Sequence, residues 1–394
     1  MFQDTMTRKL FSSEHELFRD QVRRFVEEEV LPYHEDWDEQ GMVSREVWEK
    51  AGAAGILCPT VPEEYDGVGG DYLFSVVVME EMARVGASGP GFSIHSEMAA
   101  PYLEKFGSED QKSRWLPEMV SGKTITGIAL TEPGAGSDLR RMATSAKKTN
   151  VGYVLNGQKV FISNGQLGDV FFVAAKTKNE YATDSMSLFL VEADTPGFKR
   201  GKNLKKLGAK AQDTSELFFD NVEVPHENLV GEEEGQGFFQ LMHGLARERL
   251  TIAVSSLAKS EGVFRDTVAY VADRELFHKK LTDFQNTQFK LAEVHTELTV
   301  GRCMVDRLLE DYLNDDLSAD TAAAAKLWTT EMQGRTVDTC LQLFGGWGYM
   351  WEYPVARAYA EARVERIAGG SSEVMKSIIS KSLFKKMDIR ADFN

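Results

Sequence analysis

The sequence predicts an α+β multidomain protein: an N-terminal helical domain (1–122), a middle antiparallel β domain (123–235) and a C-terminal four-helix bundle (236–394). Three observations carry that expectation. Apolar residues recur at helical spacing through the first third. Strand-sized apolar runs then alternate with Pro/Gly/Asp loops, without long helices between them. After Gly237 the helical period returns in long amphipathic segments, enough for a bundle.

Taken in order, Ser13-Glu14-His15-Glu16 reads as a capping box, and Leu17, Phe18, Val22, Phe25, Val26 and Val30 follow at helical spacing until Pro32 ends the helix. Further helices are expected over 44–54, 72–85 and 96–106, and from the Ser108 cap to Trp115. Strands are expected at 124–130, 170–175, 186–191, 217–219 and 222–224. Residues 153–162 read as a hairpin, because Asn156-Gly157 fits a type I′ turn. The bundle helices fall near 238–273, 282–313, 318–343, 354–366 and 371–386.

The net charge of −16 argues against nucleic acid and anionic membrane as main partners, since both are polyanions. Cys58, Cys303 and Cys340 are scattered, with no C-x-x-C pair, and read as reduced thiols. No run of 18 apolar residues appears, which excludes an ordinary spanning helix. The histidines show no metal-ligand spacing, so no metal is expected. Residues 1–10 are too short and mixed for a leader, which reads as a cytoplasmic protein, or a mitochondrial matrix one if a presequence was removed.

Four stretches could carry chemistry. Gly369-Gly370 breaks two helical segments, and Ser371 or Ser372 can cap the second. Free N–H groups at a positive helix end make a seat for an oxyanion or phosphate. Thr131-Glu132-Pro133-Gly134-Ala135-Gly136-Ser137-Asp138 is glycine-rich, yet is neither a Walker A loop nor a dinucleotide fingerprint, and alone reads first as a tight loop. The basic residues Lys199, Arg200, Lys202, Lys205, Lys206 and Lys210 read as a solvated loop before a phosphate patch. Glu248, between Arg247 and Arg249, lies close to the apolar stripe of Leu245, Leu250, Ile252 and Ala253. It is either surface charge or a desolvated general base, and spacing alone leaves both readings open.

Together these pieces resemble the acyl-CoA dehydrogenase family over nearly the whole chain. Residues 131–138 match its T-E-P-x-A-G-S-D loop, and 156–165 match N-G-x-K-x-[WF]-I-[ST]-N-[GA]. Val224-Pro225 with Gly231, Gln342 with Gly345-Gly346, and Tyr353-Pro354 match further family segments. The resemblance implies an FAD enzyme that forms the trans-2,3 double bond of an acyl-CoA thioester, assembles as a homotetramer and passes electrons to an electron-transferring flavoprotein. It implies that Leu130, Thr131, Gly136 and Ser137 touch the flavin or its ribityl-diphosphate arm, with Phe161, Ile162 and Ser163 against the ring. Arg274, Phe277, Gln285, Gln342 and Gly346 would hold the adenine and diphosphate half from a neighbouring subunit, and Ser371 and Glu373 belong to the flavin's own turn. Ser137, Arg249 and Gly370 are implied substrate contacts, and the Gly369 N–H an implied donor to the thioester oxygen.

One departure is informative. Most members carry the base on this turn as Y-E-G-[TS], where this chain has Ala368-Gly369-Gly370-Ser371. The long-chain and isovaleryl types carry it on the first bundle helix in an E-R pair, the place of Glu248-Arg249. The runs at 345–354 and 88–97 match the long-chain type, and Gly89, Gly91 and Ser93 are expected to leave room for a longer chain. Two alternatives stand beside this reading: oxidase-like use of oxygen, and a non-catalytic acyl-CoA-binding or structural subunit.

Overall fold

The computed structural model describes residues 8–179, 182–231 and 233–387, so residues 1–7 of the opening stretch lie outside the described residues. Helices, strands and helices follow one another in the expected order.

Helix α1 (Ser13–Phe25) is capped by Ser12, one residue before the expected cap. His15 is its third residue, so the imidazole Nδ1 accepts from the Ser12 N–H at 3.0 Å while Ser12 Oγ accepts from the His15 N–H. Pro32 does not end the helical path. A π-helical turn (Val26–Val30) and a 3-10 turn (Leu31–Tyr33) lead into α2 (His34–Gln40). Pro32 sits in the first turn of its segment, where its missing N–H forfeits no bond.

Then follow α3 (Glu46–Ala53), α4 (Tyr72–Arg84), a second π-helical turn (Ile94–Ala99), α5 (Ala100–Phe106) and α6 (Glu109–Val120). Helix α6 outruns Trp115 because Leu116, Met119 and Val120 extend its buried face. Helix α4 is shared by two cores. Val77, Val78 and Met82 pack with Trp48 and Ile56, whereas Tyr72, Leu73, Val76 and Met79 pack on Leu250, Val254 and Leu257 of the bundle.

The sheet contains β1 (Thr126–Ala129), β2 (Ser145–Lys148), β3 (Gly152–Ser163), β4 (Val170–Asn179), β5 (Ala182–Glu192), β6 (Phe198–Asn203) and β7 (Thr214–Pro225). The path runs β1-β4-β2-β3-β7-β6, with β5 also on β4. Most pairings are antiparallel as expected, but β1 runs parallel to β4, and β2 meets β4 in one parallel pair. Alternate residues feed opposite faces: Phe172, Leu188 and Leu190 face α5 and α6, while Phe171, Phe189 and Val191 fill the other side.

The expected hairpin at Asn156-Gly157 is instead one continuous strand. Between the pairs Leu155↔Val222 and Gly157↔Phe219, β3 advances two positions and β7 three. The extra residue is a bulge at Asn221, whose φ is +52°, and its N–H donates to Asn156 Oδ1 at 3.0 Å. Gly157 is needed because a Cβ there would lie 2.4 Å from Thr144 Oγ1.

The bundle is α7 (Gly237–Asp273), α8 (Gln285–Leu313), α9 (Ala319–Phe344), α10 (Pro354–Glu365) and α11 (Ser372–Lys386). We propose domain boundaries at 122/123 and 235/236, which fall in the α6–β1 and β7–α7 connections. In the basic stretch Lys206 is not solvated: it donates to the Gln212 carbonyl and Thr214 Oγ1, and Lys210 lies 3.7 Å over the Trp351 ring. Among the described residues no helix is long and apolar enough to cross a membrane.

A buried ion network ties α4 to the N-terminal segment and to the bundle. Glu80 accepts from Arg8 at 2.8 Å, Arg19 at 3.0 Å and Arg302 of α8 at 2.7 Å. Burial raises its pKa, but Arg302, Arg8 and Arg19 outweigh that and hold the carboxyl well below the usual range. Glu80→Ala therefore leaves three guanidiniums without their shared anion. It should cost about 3–5 kcal/mol of folding free energy, read as a lower denaturation midpoint. An unchanged midpoint would show that the network contributes nothing net.

Candidate functional site

Successive residues on α7 turn by about 100°, which sends the three charges of Arg247-Glu248-Arg249 to different neighbours. Arg247 pairs with Glu97 of the second π-helical turn at 2.7 Å and lies 4.9 Å over the Tyr72 ring. Arg249 is buried, makes no hydrogen bond among the described residues, and leaves Nε without a partner. Glu248 is half-buried, and its Oε1 accepts from the Tyr102 hydroxyl of α5 at 2.6 Å. Burial raises the Glu248 pKa, against the lowering effects of the Tyr102 hydrogen bond and the Arg249 charge.

The Gly369-Gly370 turn closes on this same helix. Both glycines have left-handed backbone, φ +62° and +93°. A Cβ on Gly369 would lie 2.3 Å from Cδ1 of Ile252, one turn beyond Glu248 on α7. The Ile367 and Ala368 N–H groups bond back to Val364, whereas the Gly369 N–H meets no acceptor among the described residues. Ser371 caps α11, accepting from the Val374 N–H, and Glu373 is exposed in its first turn.

Helix α9 holds the turn from beneath. Lys326, fully buried, donates to the Gly370 carbonyl at 2.8 Å. Burial pulls its pKa down to about 8 against the nearby Glu365 and Glu331. Glu331 accepts from Ser372 Oγ at 2.6 Å and pairs with Arg366 at 3.4 Å. Sequence reasoning missed Tyr102, Lys326 and Glu331. The one available signal was a lone lysine between the apolar run Ala322–Ala325 and Leu327-Trp328, too weak to name a role.

A second cluster gathers at the sheet. Lys159, fully buried, donates to the Leu130 carbonyl at 3.0 Å and to Glu132 at 2.8 Å, while Glu132 accepts from the Ala143 and Thr144 N–H groups. The Val160 N–H donates to the Thr131 carbonyl at 2.9 Å. The stem of the 131–138 loop is thus fixed, while Gly136 and Ser137 stay exposed and a Cβ on Gly134 or Gly136 would touch nothing.

Beside it, three β3 positions from Lys159 to Ile162 oppose two of β7. Phe161, in that bulge, has φ +61° and is 66% exposed. Backbone outliers of this kind cluster at bulges and at ligand clamps. Ile162 turns its side chain into the β core and Ser163 is half-buried, so of these three only the Phe161 ring is free to stack.

A third cluster lies at the far end of α7, roughly 38 Å along the axis from Glu248 at the α-helical rise. Arg274, Gln342 and Gly346 line a cavity of ≈ 660 Å³ with Tyr270 and Trp347. Phe277 projects from a short hairpin at φ +51° and is 79% exposed, and exposed Gln285 opens α8. These five residues converge on one end of the bundle and not on the Glu248 site.

The small residues expected to lengthen an acyl pocket do something else. A Cβ on Gly89 would lie 2.9 Å from Ala211 and Val43, and one on Gly91 would lie 2.1 Å from Asn164 Oδ1. At their own positions both glycines permit close packing of the helical part on the β part.

Three family models match along the chain: acyl-CoA dehydrogenase N-terminal domain over residues 12–123, middle domain over 127–222 and C-terminal domain over 235–384. The long-chain specific mitochondrial acyl-CoA dehydrogenase of Sus scrofa is 47% identical over 96% of this chain and 89% of its own. An acyl-CoA dehydrogenase structure from Geobacillus kaustophilus superposes with a TM-score of 0.93 at 44% identity, covering 96% of this chain and all (100%) of the other. A glutaryl-CoA dehydrogenase from Mycobacterium smegmatis, in complex with FADH2, gives a TM-score of 0.91 at 29% identity over 98% of each chain. With all three parts matched along nearly its whole length, the chain belongs to the acyl-CoA dehydrogenase family, oxidoreductases that act on CH–CH donors.

Proposed function

We propose that the protein dehydrogenates long-chain acyl-CoA thioesters to trans-2-enoyl-CoA, with Glu248 as the base and FAD as cofactor. The observation that carries this reading is the convergence of a half-buried carboxylate and a side-chain-free turn on one stretch of α7. The α-proton leaves to Glu248, and the β-hydrogen leaves with its electron pair, so that the Cα–Cβ bond becomes double. Bound FAD supplies the acceptor for that hydride. The Gly369 N–H, unpartnered and preset by its left-handed backbone, polarises the thioester oxygen as negative charge develops on it. Gly370 adds backbone to the same pocket, and Ser137 and Arg249 contact the thioester and CoA. The buried, unpartnered guanidinium of Arg249 suits that role.

The residues fit FAD. Leu130 and Thr131 are locked in place, Gly136 and Ser137 offer open backbone, and Phe161 waits as a platform. Ser371 and Glu373 stand at the α11 N-terminus beside the turn. Arg274, Phe277, Gln285, Gln342 and Gly346 lie at the far end of the bundle from Glu248, which supports their use by a neighbouring copy in a homotetramer. An electron-transferring flavoprotein then removes the electrons. The place of action is the cytoplasm or the mitochondrion, the compartment named for the pig relative.

Glu248→Gln should keep bound FAD and lose anaerobic flavin bleaching by about 10²–10⁴-fold. An undiminished rate would remove Glu248 from the mechanism; separately, a parent protein whose flavin no acyl-CoA bleaches would favour a binding subunit. Placing Gly369→Glu in that background should restore a small part of the rate at a cost in stability: Ile252 Cδ1 is a movable side-chain end that can yield, but the left-handed backbone at φ +62° strains any side chain there. Turnover with electron-transferring flavoprotein should form little hydrogen peroxide; stoichiometric peroxide without it would identify an oxidase instead.

A further inference from the structure

Glu248 must be held still and kept charged if it is to work, and one side chain outside the expected site does both. We infer that Tyr102 is the positioning residue of this carboxylate: its hydroxyl fixes Oε1 and keeps the group ionised, leaving Oε2 to meet the α-proton. The inference deepens the proposed reaction and rests on Glu248 being its base.

The geometry is specific. The Tyr102 ring is buried, and its hydroxyl donates to Glu248 Oε1 at 2.6 Å, within the range of a charge-assisted O–H···O⁻ bond. Helix α7 makes room for it. At Gly244, one turn before Glu248, a Cβ would lie 2.7 Å from the Tyr102 oxygen and 2.9 Å from its Cζ. A tyrosine serving only to fill the core would need no glycine opposite its oxygen. Tyr102 is the third residue of α5, which follows directly on the π-helical turn Ile94–Ala99, a local irregularity of the sort found at functional sites.

The neighbours leave this task to Tyr102. Arg249 acts on Glu248 by charge, without a hydrogen bond. Arg247 is directed to Glu97, with the Glu104 carboxyl nearby, and Lys105 of α5 is engaged with His243 at 2.6 Å. Tyr72 of α4 bonds Thr251, and Lys326 of α9 bonds the Gly370 carbonyl. Among the described residues Tyr102 is therefore the one hydrogen-bond donor to Glu248. Burial raises the pKa of the carboxyl and the hydroxyl lowers it. A phenol can also accept, so the same oxygen can receive a bond from the protonated acid after the α-proton has moved.

The test is the pH dependence of anaerobic flavin bleaching of the holoenzyme by a saturated long-chain acyl-CoA. In the parent the rate falls on the acid side as Glu248 is protonated. Tyr102→Phe removes one oxygen and should move that limb upward by about one pH unit, while the high-pH plateau is largely retained. Unaltered FAD absorbance and melting temperature establish that the fold is intact. An unmoved or lowered limb, or an equal loss at every pH, would reduce Tyr102 to packing. Glu248→Gln separates the two readings. If it still bleaches, the base assignment fails; if it does not and the Tyr102→Phe limb stays put, the Tyr102 inference fails alone.

Discussion

A general base of this reaction has to be dry enough to be basic and polar enough around it to stay ionised. Those demands oppose each other, and the structure meets them along one face of α7. Gly244, Glu248 and Ile252 are spaced by four, so they line one stripe of the helix. Gly244 admits the Tyr102 hydroxyl, Glu248 receives it, and Ile252 supports Gly369. Two glycines on separate elements thus leave space beside this stripe, Gly244 for the Tyr102 hydroxyl and Gly369 for the end of Ile252. In the proposed reaction the substrate carbon comes between them, with the base on one side and the Gly369 N–H on the other.

The loops around that site are held by buried lysines. Lys159 grips the Leu130 carbonyl with Glu132 as counter-charge, and Lys326 grips the Gly370 carbonyl near Glu365 and Glu331. Burial pulls both ammonium groups down to about 8, so both are charged at neutral pH. A buried cation is costly unless paired and bonded. What each one brings is geometry: a carbonyl anchored to a strand or helix fixes the loop whose N–H groups must face a ligand. Lys159 joins the loop to β3, and Lys326 joins the turn to α9, so neither ligand loop depends on its own stiffness.

The order of the three parts and the bundle helices were legible, because each rests on a local pattern, a period or a cap. What escaped depends on partners far apart in the chain. Tyr102 lies in Ala100-Pro101-Tyr102-Leu103, an ordinary apolar run, and Glu248 is 146 positions away. Asn156-Gly157 misled for a physical reason. Asparagine and glycine suit a type I′ turn, but the same tolerance serves a bulged strand, and only the β7 register decides between them. Gly89 and Gly91 misled likewise, since a small residue can leave space or let a neighbour fill it.

Helix α7 gives the molecule its remaining constraint. One 37-residue helix carries Glu248 near one end and delivers Arg274 just past the other. Packed along α4 and α9, it has little freedom to bend independently at either place. In the proposed tetramer the Arg274 end reads a neighbour's cofactor while the Glu248 end acts on the chain's own substrate. Two sites on one rigid rod cannot be placed independently. The Gly369 turn rides on the same bundle, against Ile252 of α7 and Lys326 of α9, so base and turn keep their relation wherever the bundle is placed.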